Sequence, residues 1–365
     1  MARFVLQKKI TRPGAILIPA GFFIKGVGFM RRTMLSLAFA AACMMSLGMG
    51  VVSFAADKPV TLRIGHPMAP GNNVTIGYEK FKELVEKNSD GKIKIRIFGN
   101  AQIGSDRVTT EQAQAGTLDM SSSSTPNLAS FSPAYMAIDL PYITDPKNQE
   151  KLYKALDEGE LGKALRKVAN DIGLETIMFS EYGYRNFASA KKPLKQVIDL
   201  QNLKIRTTDS PVEVAVVTEL GSNPAPVAWG ETYTALQQGT VDAEGNTFSL
   251  LNDAKHSEVL KHAMDSQHNY SMHILLMNKK KWDSLSPEQQ KIIRDAAKQA
   301  TDWQRKESVK LEEKAWQAFR DKGIDITLLT PEQREELKKK TQPVRDKFSK
   351  EVPQEIIMLI EETQK

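Results

Sequence analysis

Residues 286–323, "SPEQQKIIRDAAKQATDWQRKESVKLEEKAWQAFRDKG", constrain the fold more than any other stretch of the chain. They open with a capping box, Ser286 to Gln289, in which two side chains satisfy backbone amides of the first turn. The pattern stops at Gly323. If continuous, the helix from Pro287 to Lys322 is about 54 Å long at 1.5 Å per residue. That length suffices to lie across two domains, with a bend expected. A second capping box, Thr330 to Gln333, starts the C-terminal helices.

Upstream, strands and helices alternate. "VTLRIGH" alternates apolar and polar from Val60 to Ile64, as a half-buried strand does. "GYEKFKELVEKNSDG" places Phe81, Leu84 and Val85 at helical spacing and ends on Gly91. "KIKIRIF" alternates again, and an amphipathic helix closing at Gly116 precedes a strand from Leu118. Further on, "GLETIMFSEYGYRNFAS" reads as a strand running into a turn at Gly183. "LKQVIDLQNLKIRTT" gives a short helix and a strand, and Ser210 and Pro211 cap the next helix. A helix ended by Gly239, a strand, and another strand region from Ala263 to Asn278 follow. This order predicts α/β architecture, a mainly parallel sheet with helices on its faces.

The charge of the chain has to be read without its beginning. Residues 1–55 hold seven basic side chains (Arg3, Lys8, Lys9, Arg12, Lys25, Arg31, Arg32) and no acidic one. Without them the 50 Lys and Arg fall to 43 against 44 Asp and Glu, and the formal net charge moves from +6 to −1. A nucleic-acid partner inferred from net charge loses its support. Arg31 and Arg32, the apolar run "MLSLAFAAACMMSLGMGVV" and the small residues Ser53 and Ala55 resemble a secretion signal cleaved before Ala56. Met30 would make a conventional start. An uncleaved anchor from Met34 to Phe54 is the rival reading, and a lipid attached at Cys43 a weaker one. Cys43 is the only cysteine, so an exported chain would have no disulfide, no Cys-ligated zinc and no thiol nucleophile. About 310 residues remain, enough for two α/β domains with cores of their own.

Chemistry-bearing motifs are missing. There is no G-x-G-x-x-G, Walker loop, G-x-S-x-G elbow or H-E-x-x-H. His268 and His273 lie five apart on an expected strand and so face opposite ways, which suits no chelate. Neither a cofactor nor catalysis is expected.

Several segments occur together in an order that resembles one family. They are "GKIKIRIFGNAQIGSDR", "AGTLDM", "DLPYI", "GYRNFAS", "DLQNLKIRTTDSP" and "LGSNPAPVAWGETYTALQQGTVDAEGN", followed by the long late helix. The family is the solute-binding proteins of tripartite ATP-independent periplasmic (TRAP) transporters, DctP-type, and the resemblance runs from about Leu62 onward. "KIRT..SP" looks most like the branch that includes diketogulonate and other sugar-acid binders. The resemblance implies a bilobed periplasmic-binding-protein-like fold, with two α/β domains joined by hinge strands and braced by a long helix. Applied here, it implies one lobe from 56–182 plus 272–311 and another from 183–271 plus 312–365. It also implies a periplasmic location, a small organic acid as ligand, and delivery to a membrane TRAP permease.

The same resemblance implies a site. The family's carboxylate-pairing arginine falls on Arg206. Taken alone, an arginine closing a strand reads as a solvated charge, but a guanidinium also offers two parallel donors matched to a carboxylate. Arg185 corresponds to a second family arginine, with a structural role near the hinge as its alternative. Asn246 matches an asparagine that contacts the carboxylate or backs the arginine, although Gly245 and Thr247 depart from the usual neighbours. Trp229 stands where a Phe is common and would wall the ligand carbons or pack in a core. In the first lobe His66, Asn73, Ser124 and Asn127 are expected to read the rest of the ligand. Sialic-acid binders have Glu and Arg where this chain has Ser124 and Asn127. The neutral wall suits a polyol tail, and sugar acids and uronates are favoured over C4-dicarboxylates or small hydroxy and keto acids. A sensory module presenting its ligand to a membrane kinase is the reading from another class.

Overall fold

The structure is a computed structural model and describes residues 58–365. The leader expected in residues 1–55 lies outside them. Among the described residues nine strands form one sheet: β1 Val60–Gly65, β2 Ile93–Phe98, β3 Met120–Ser124, β4 Leu174–Ser189, β5 Lys204–Thr207, β6 Asn223–Pro226, β7 Ala243–Asn246, β8 His262–Asn278 and β9 Asp325–Thr327. The helices are α1 Asn73–Asn88, α2 Asp106–Ala115, α3 Thr125–Leu128, α4 Met136–Asp139, α5 Gln149–Asp157, α6 Glu160–Asp171, α7 Pro211–Glu219, α8 Trp229–Gln237, α9 Phe248–Asp253, α10 Lys279–Asp283, α11 Pro287–Asp321, α12 Pro331–Phe348 and α13 Gln354–Glu362.

The sheet order β2-β1-β3-β8-β4-β7-β5-β6, with β9 on β8, joins two α/β halves through two long strands. Within the halves β1 pairs in parallel with β2 and β3, and β5 with β6 and β7. The strands that connect them, β4 and β8, are antiparallel to each other and to β3 and β7. The sheet is therefore mixed: its parallel parts are the βαβ units expected from the alternating pattern, and its centre is a long antiparallel ribbon. The chain crosses between lobes in ordinary strands.

The turn expected at Gly183 is absent, and β4 runs through that residue. Its φ of 122° lies where only glycine rests without strain. The register with β8 slips there, from Glu181 opposite Met272 to Gly183 opposite Ser271. The bend is a bulge inside a strand, since pairing to β8 resumes on both sides of it.

The long helix forms as its capping box predicts. Ser286 accepts from the Gln289 amide, the Gln289 side chain returns to the Ser286 amide, and the helix continues unbroken for 35 residues. Its first half places Ile293, Ala296 and Ala300 in a core with Leu62, Phe81 and Ile93. Its second half places Ala315 and Phe319 in another with Leu236 and Phe248. One apolar stripe thus serves two cores, which ties the helix to both lobes. Between them Gln304, fully buried, accepts from the Glu181 amide (2.9 Å) and donates to its carbonyl (2.8 Å). A helix side chain in this way satisfies the strand backbone at its bulge. The last helix, α13, packs on α4 and α6.

Candidate functional site

Arg206 sits near the end of β5 with Lys204 exposed and Ile205 buried before it. It is itself 2 % exposed, so it is not a surface charge. Its Nε donates to the Val227 carbonyl at 2.9 Å, and its guanidinium lies over the Trp229 ring, 5.7 Å from the centroid. Among the described residues it makes no ion pair. Burial pushes its pKa down, and the carboxylates of Glu213 and Glu244 pull it back up. A buried guanidinium with its terminal nitrogens uncommitted is built to receive an anion.

Trp229 opens α8 and leans on His256, with ring centroids 4.7 Å apart. His256 in turn is held through Nδ1 by Glu244 Oε1 at 2.6 Å, both side chains being buried. The cover over Arg206 is therefore preset from behind. Arg185 also lies behind it, with Nη1 2.9 Å from Glu213 Oε1. The other oxygen of Glu213 accepts from the amide and hydroxyl of Thr208. Arg185 and Arg206 border one small space together with Glu213 and His268. Arg185 thus has a carboxylate of its own, whereas Arg206 has none.

Across from Arg206 stands the end of β3 and the short helix after it. A cavity of about 60 Å³ is lined by Arg206, Trp229 and Thr208 on one side and by Asp106 and Asn127 on the other. The Asn127 amide donates to Ser124 Oγ at 2.9 Å, so Ser124 holds Asn127 in place. Asp106 receives the Ser124 amide (3.1 Å) and the Ser123 hydroxyl (3.3 Å). Burial pushes its carboxyl up, against the hydrogen bonds and the charge of Arg206. Sequence reasoning missed Asp106: in "IGSDR" it looks like an acid in the first turn of a helix, with no local sign that the helix end faces a cleft.

His66 and Asn246 belong to a buried polar chain beside this cavity. His66 meets Tyr78 edge-on at 5.5 Å, and the Tyr78 hydroxyl lies 2.5 Å from Ser122 Oγ. Ser122 reaches His273 Nδ1 (2.8 Å), whose ring packs on Tyr182, and the Tyr182 hydroxyl accepts from Asn246 (3.4 Å). Burial pushes His66 and His273 down to about 3, so both imidazoles are neutral. Both ring nitrogens of His66 and Nε2 of His273 have no hydrogen-bond partner among the described residues. Buried polar atoms of that kind call for a partner. Asn73 goes elsewhere: its amide donates to the Glu181 carbonyl (3.0 Å) and Ser308 Oγ (3.2 Å), at the bend of β4. Among the described residues no group of three or more His, Asp or Glu is placed to hold a metal, and no helix is long and apolar enough to cross a membrane.

A mixed α/β sheet bridged by two strands and one helix, with a buried guanidinium free of any ion pair between two walls, fits a two-lobed solute receptor. The chain belongs to the DctP family, bacterial extracellular solute-binding protein family 7, which it matches over residues 64–351. It is 29% identical over 320 residues to the 2,3-diketo-L-gulonate-binding periplasmic protein YiaO of Escherichia coli, covering 87% of this chain and 96% of that protein. It is 32% identical over 328 residues to the C4-dicarboxylate-binding periplasmic protein DctP of Rhodobacter capsulatus, covering 88% and 96%. Among solved structures, the sugar acid binding protein DctPAm from Advenella mimigardefordensis, in complex with galactonate, superposes with a TM-score of 0.80. That pair shares 28% identity and covers 84% of this chain and 98% of the other. Proteins of this family are receptors for solutes, not enzymes.

Proposed function

We propose that this chain is the periplasmic receptor of a TRAP transporter, capturing a hydroxylated monocarboxylate of the sugar-acid or uronate type. Arg206, buried and without a carboxylate partner, is the observation that carries this reading. The ligand carboxylate takes its two terminal nitrogens, Trp229 covers the ligand carbons, and Asn127 reads the other end, held by Ser124. Neutral His66 offers one donor and one acceptor and His273 its remaining Nε2, which suits hydroxyls better than a second carboxylate. Arg185, through Glu213, and Asn246 hold the anchoring wall. Asn73 supports the hinge.

The cavity of about 60 Å³ is well below the roughly 300–1,000 Å³ of a typical small-molecule pocket. A sugar acid therefore enters only when the walls part, and capture is a shift toward a closed form that the ligand stabilises from both sides. The moving bodies are 56–182 plus 272–311 and 183–271 plus 312–365, and the loaded form docks on the membrane permease. The periplasmic names of two relatives and the signal-like residues 31–55 support the location.

A thermal-shift screen of sugar acids, C4-dicarboxylates and small hydroxy acids tests the ligand class. Sugar acids are expected to raise the melting temperature in proportion to the logarithm of their concentration. A shift with succinate and none with galactonate or galacturonate would reverse the preference. Arg107, which lines the same cavity, would then be the second anchor. Native mass spectrometry before and after mild unfolding should release a co-purified acid of the same class.

A further inference from the structure

A second cavity, of about 350 Å³, lies at the bend of β4 beside α11, and no part of acid capture uses it. Its walls include Tyr153 from α5, Glu181 and Tyr184 from β4, and Glu312, Glu313 and Trp316 from α11. The lining contains no lysine, arginine or histidine, and none of the three glutamates is in an ion pair among the described residues. Glu181 accepts from the hydroxyls of Tyr153 (2.7 Å) and Tyr270 (2.5 Å), and Glu312 from the amides of Phe248 (3.2 Å) and Ser249 (2.9 Å). These neutral donors hold the carboxyls in place; burial pushes both up, and the donors, together with the Arg305 charge in the case of Glu181, pull them back down. Asn73, 1 % exposed, lines the same cavity, and its Oδ1 has no donor among the described residues.

The geometry points to a binding site for a small primary alkylammonium ion. Arg305 already lies over one face of Tyr153, 4.1 Å from its centroid; the aromatic rings and the carboxylates without an ion pair attract a further cation, and an ammonium group has three donors to share among Glu181, Glu312 and Asn73 Oδ1. A metal ion would make little use of the aromatic walls. The site also touches the two elements that cross between lobes, β4 and α11, together with α5 on one side and the start of α9 on the other. An occupant holds these four in one arrangement, so its binding is coupled to closure on the acid, and the coupling is reciprocal. Only this coupling rests on the receptor reading; the cation site itself does not.

The test is a calorimetric titration of 1-butylammonium chloride into the acid-free protein, with sodium chloride at equal ionic strength as control. Saturable binding by the wild type is expected, weakened about five-fold or more in the double variant Trp316→Leu/Glu313→Gln. Absence of saturable heat, an equal response to sodium chloride, or unchanged affinity in a folded double variant would overturn the site. If that variant melts early, nuclear Overhauser contacts between butyl methylene protons and the Trp316 indole in the wild type decide instead. Their presence supports the site and their absence overturns it. Galactonate is left out of this experiment, so failure of the acid reading and failure of the cation site are read separately.

Discussion

Arg206 makes no ion pair among the described residues, and the two carboxylates that act on it, Glu213 and Glu244, are engaged by Arg185 and His256. Nε is spent on the Val227 carbonyl, one face lies against Trp229, and Glu213 behind is occupied by Arg185 and Thr208. His66 is neutral because burial, and then the neighbouring His273, push its pKa from 6.5 to about 3. In the unfolded chain the same imidazole titrates near its ordinary value. Between about pH 6.5 and 3 the unfolded state therefore binds a proton that the folded state refuses. The stability present above pH 6.5 is lost as pH falls through that window. Wild type is expected to lose more melting temperature between pH 7 and pH 4 than His66→Phe; equal losses would refute the buried neutral histidine. The family resemblance, not the residues alone, singled out Arg206, Trp229 and Asn127, and these three line one cavity. Asp106, Glu213 and the Glu244–His256 pair were not legible, because each gains its meaning from a partner far along the chain. Asn73 was misplaced for a related reason. It stands only seven residues after His66, but α1 carries it under α11, toward Glu181 and Ser308.

At the scale of elements, the bend in β4 is set at Gly183. Gly183 has a φ of 122°, and a Cβ there would come within 2.7 Å of Thr247 Cγ2. Gly183→Ala is therefore strained in both backbone and space. A loss of ~1–3 kcal/mol is expected from chemical denaturation, in the range of stored backbone strain. A variant as stable as wild type would mean that the bulge tolerates a side chain and that the bend is not set by glycine. Most elements were legible because their ends carry their own chemistry: Ser286 with Gln289, Thr330 with Gln333, and Gly116 in the left-handed region closing α2. The turn wrongly expected at Gly183 shows the limit of such reading. Glycine marks an unusual backbone angle, but whether that angle ends a strand or kinks it depends on β8, which pairs on both sides. The antiparallel centre of the sheet escaped for the same reason, since strand direction is a property of the pairing.

For the whole molecule, two of the three cores among the described residues share the long helix α11, and the proposed anion site lies between β5 and α8 on one side and the end of β3 on the other. A ligand that bridges those walls stabilises the closed form by its binding energy, about 2.7 kcal/mol at a hundred times its dissociation constant. A desolvated arginine–carboxylate pair that loses its matched donors typically costs ~3–5 kcal/mol, or about two to four decades in affinity. Lysine keeps the charge of Arg206 but not the paired donors or the hydrogen bond to Val227. Calorimetric titration of D-galactonate into wild type and Arg206→Lys is the most direct measurement. One-site binding by wild type, and affinity at least about a hundredfold weaker in an Arg206→Lys protein with an unchanged melting profile, is the predicted result. Equal binding by the two proteins, or none by wild type, would contradict it.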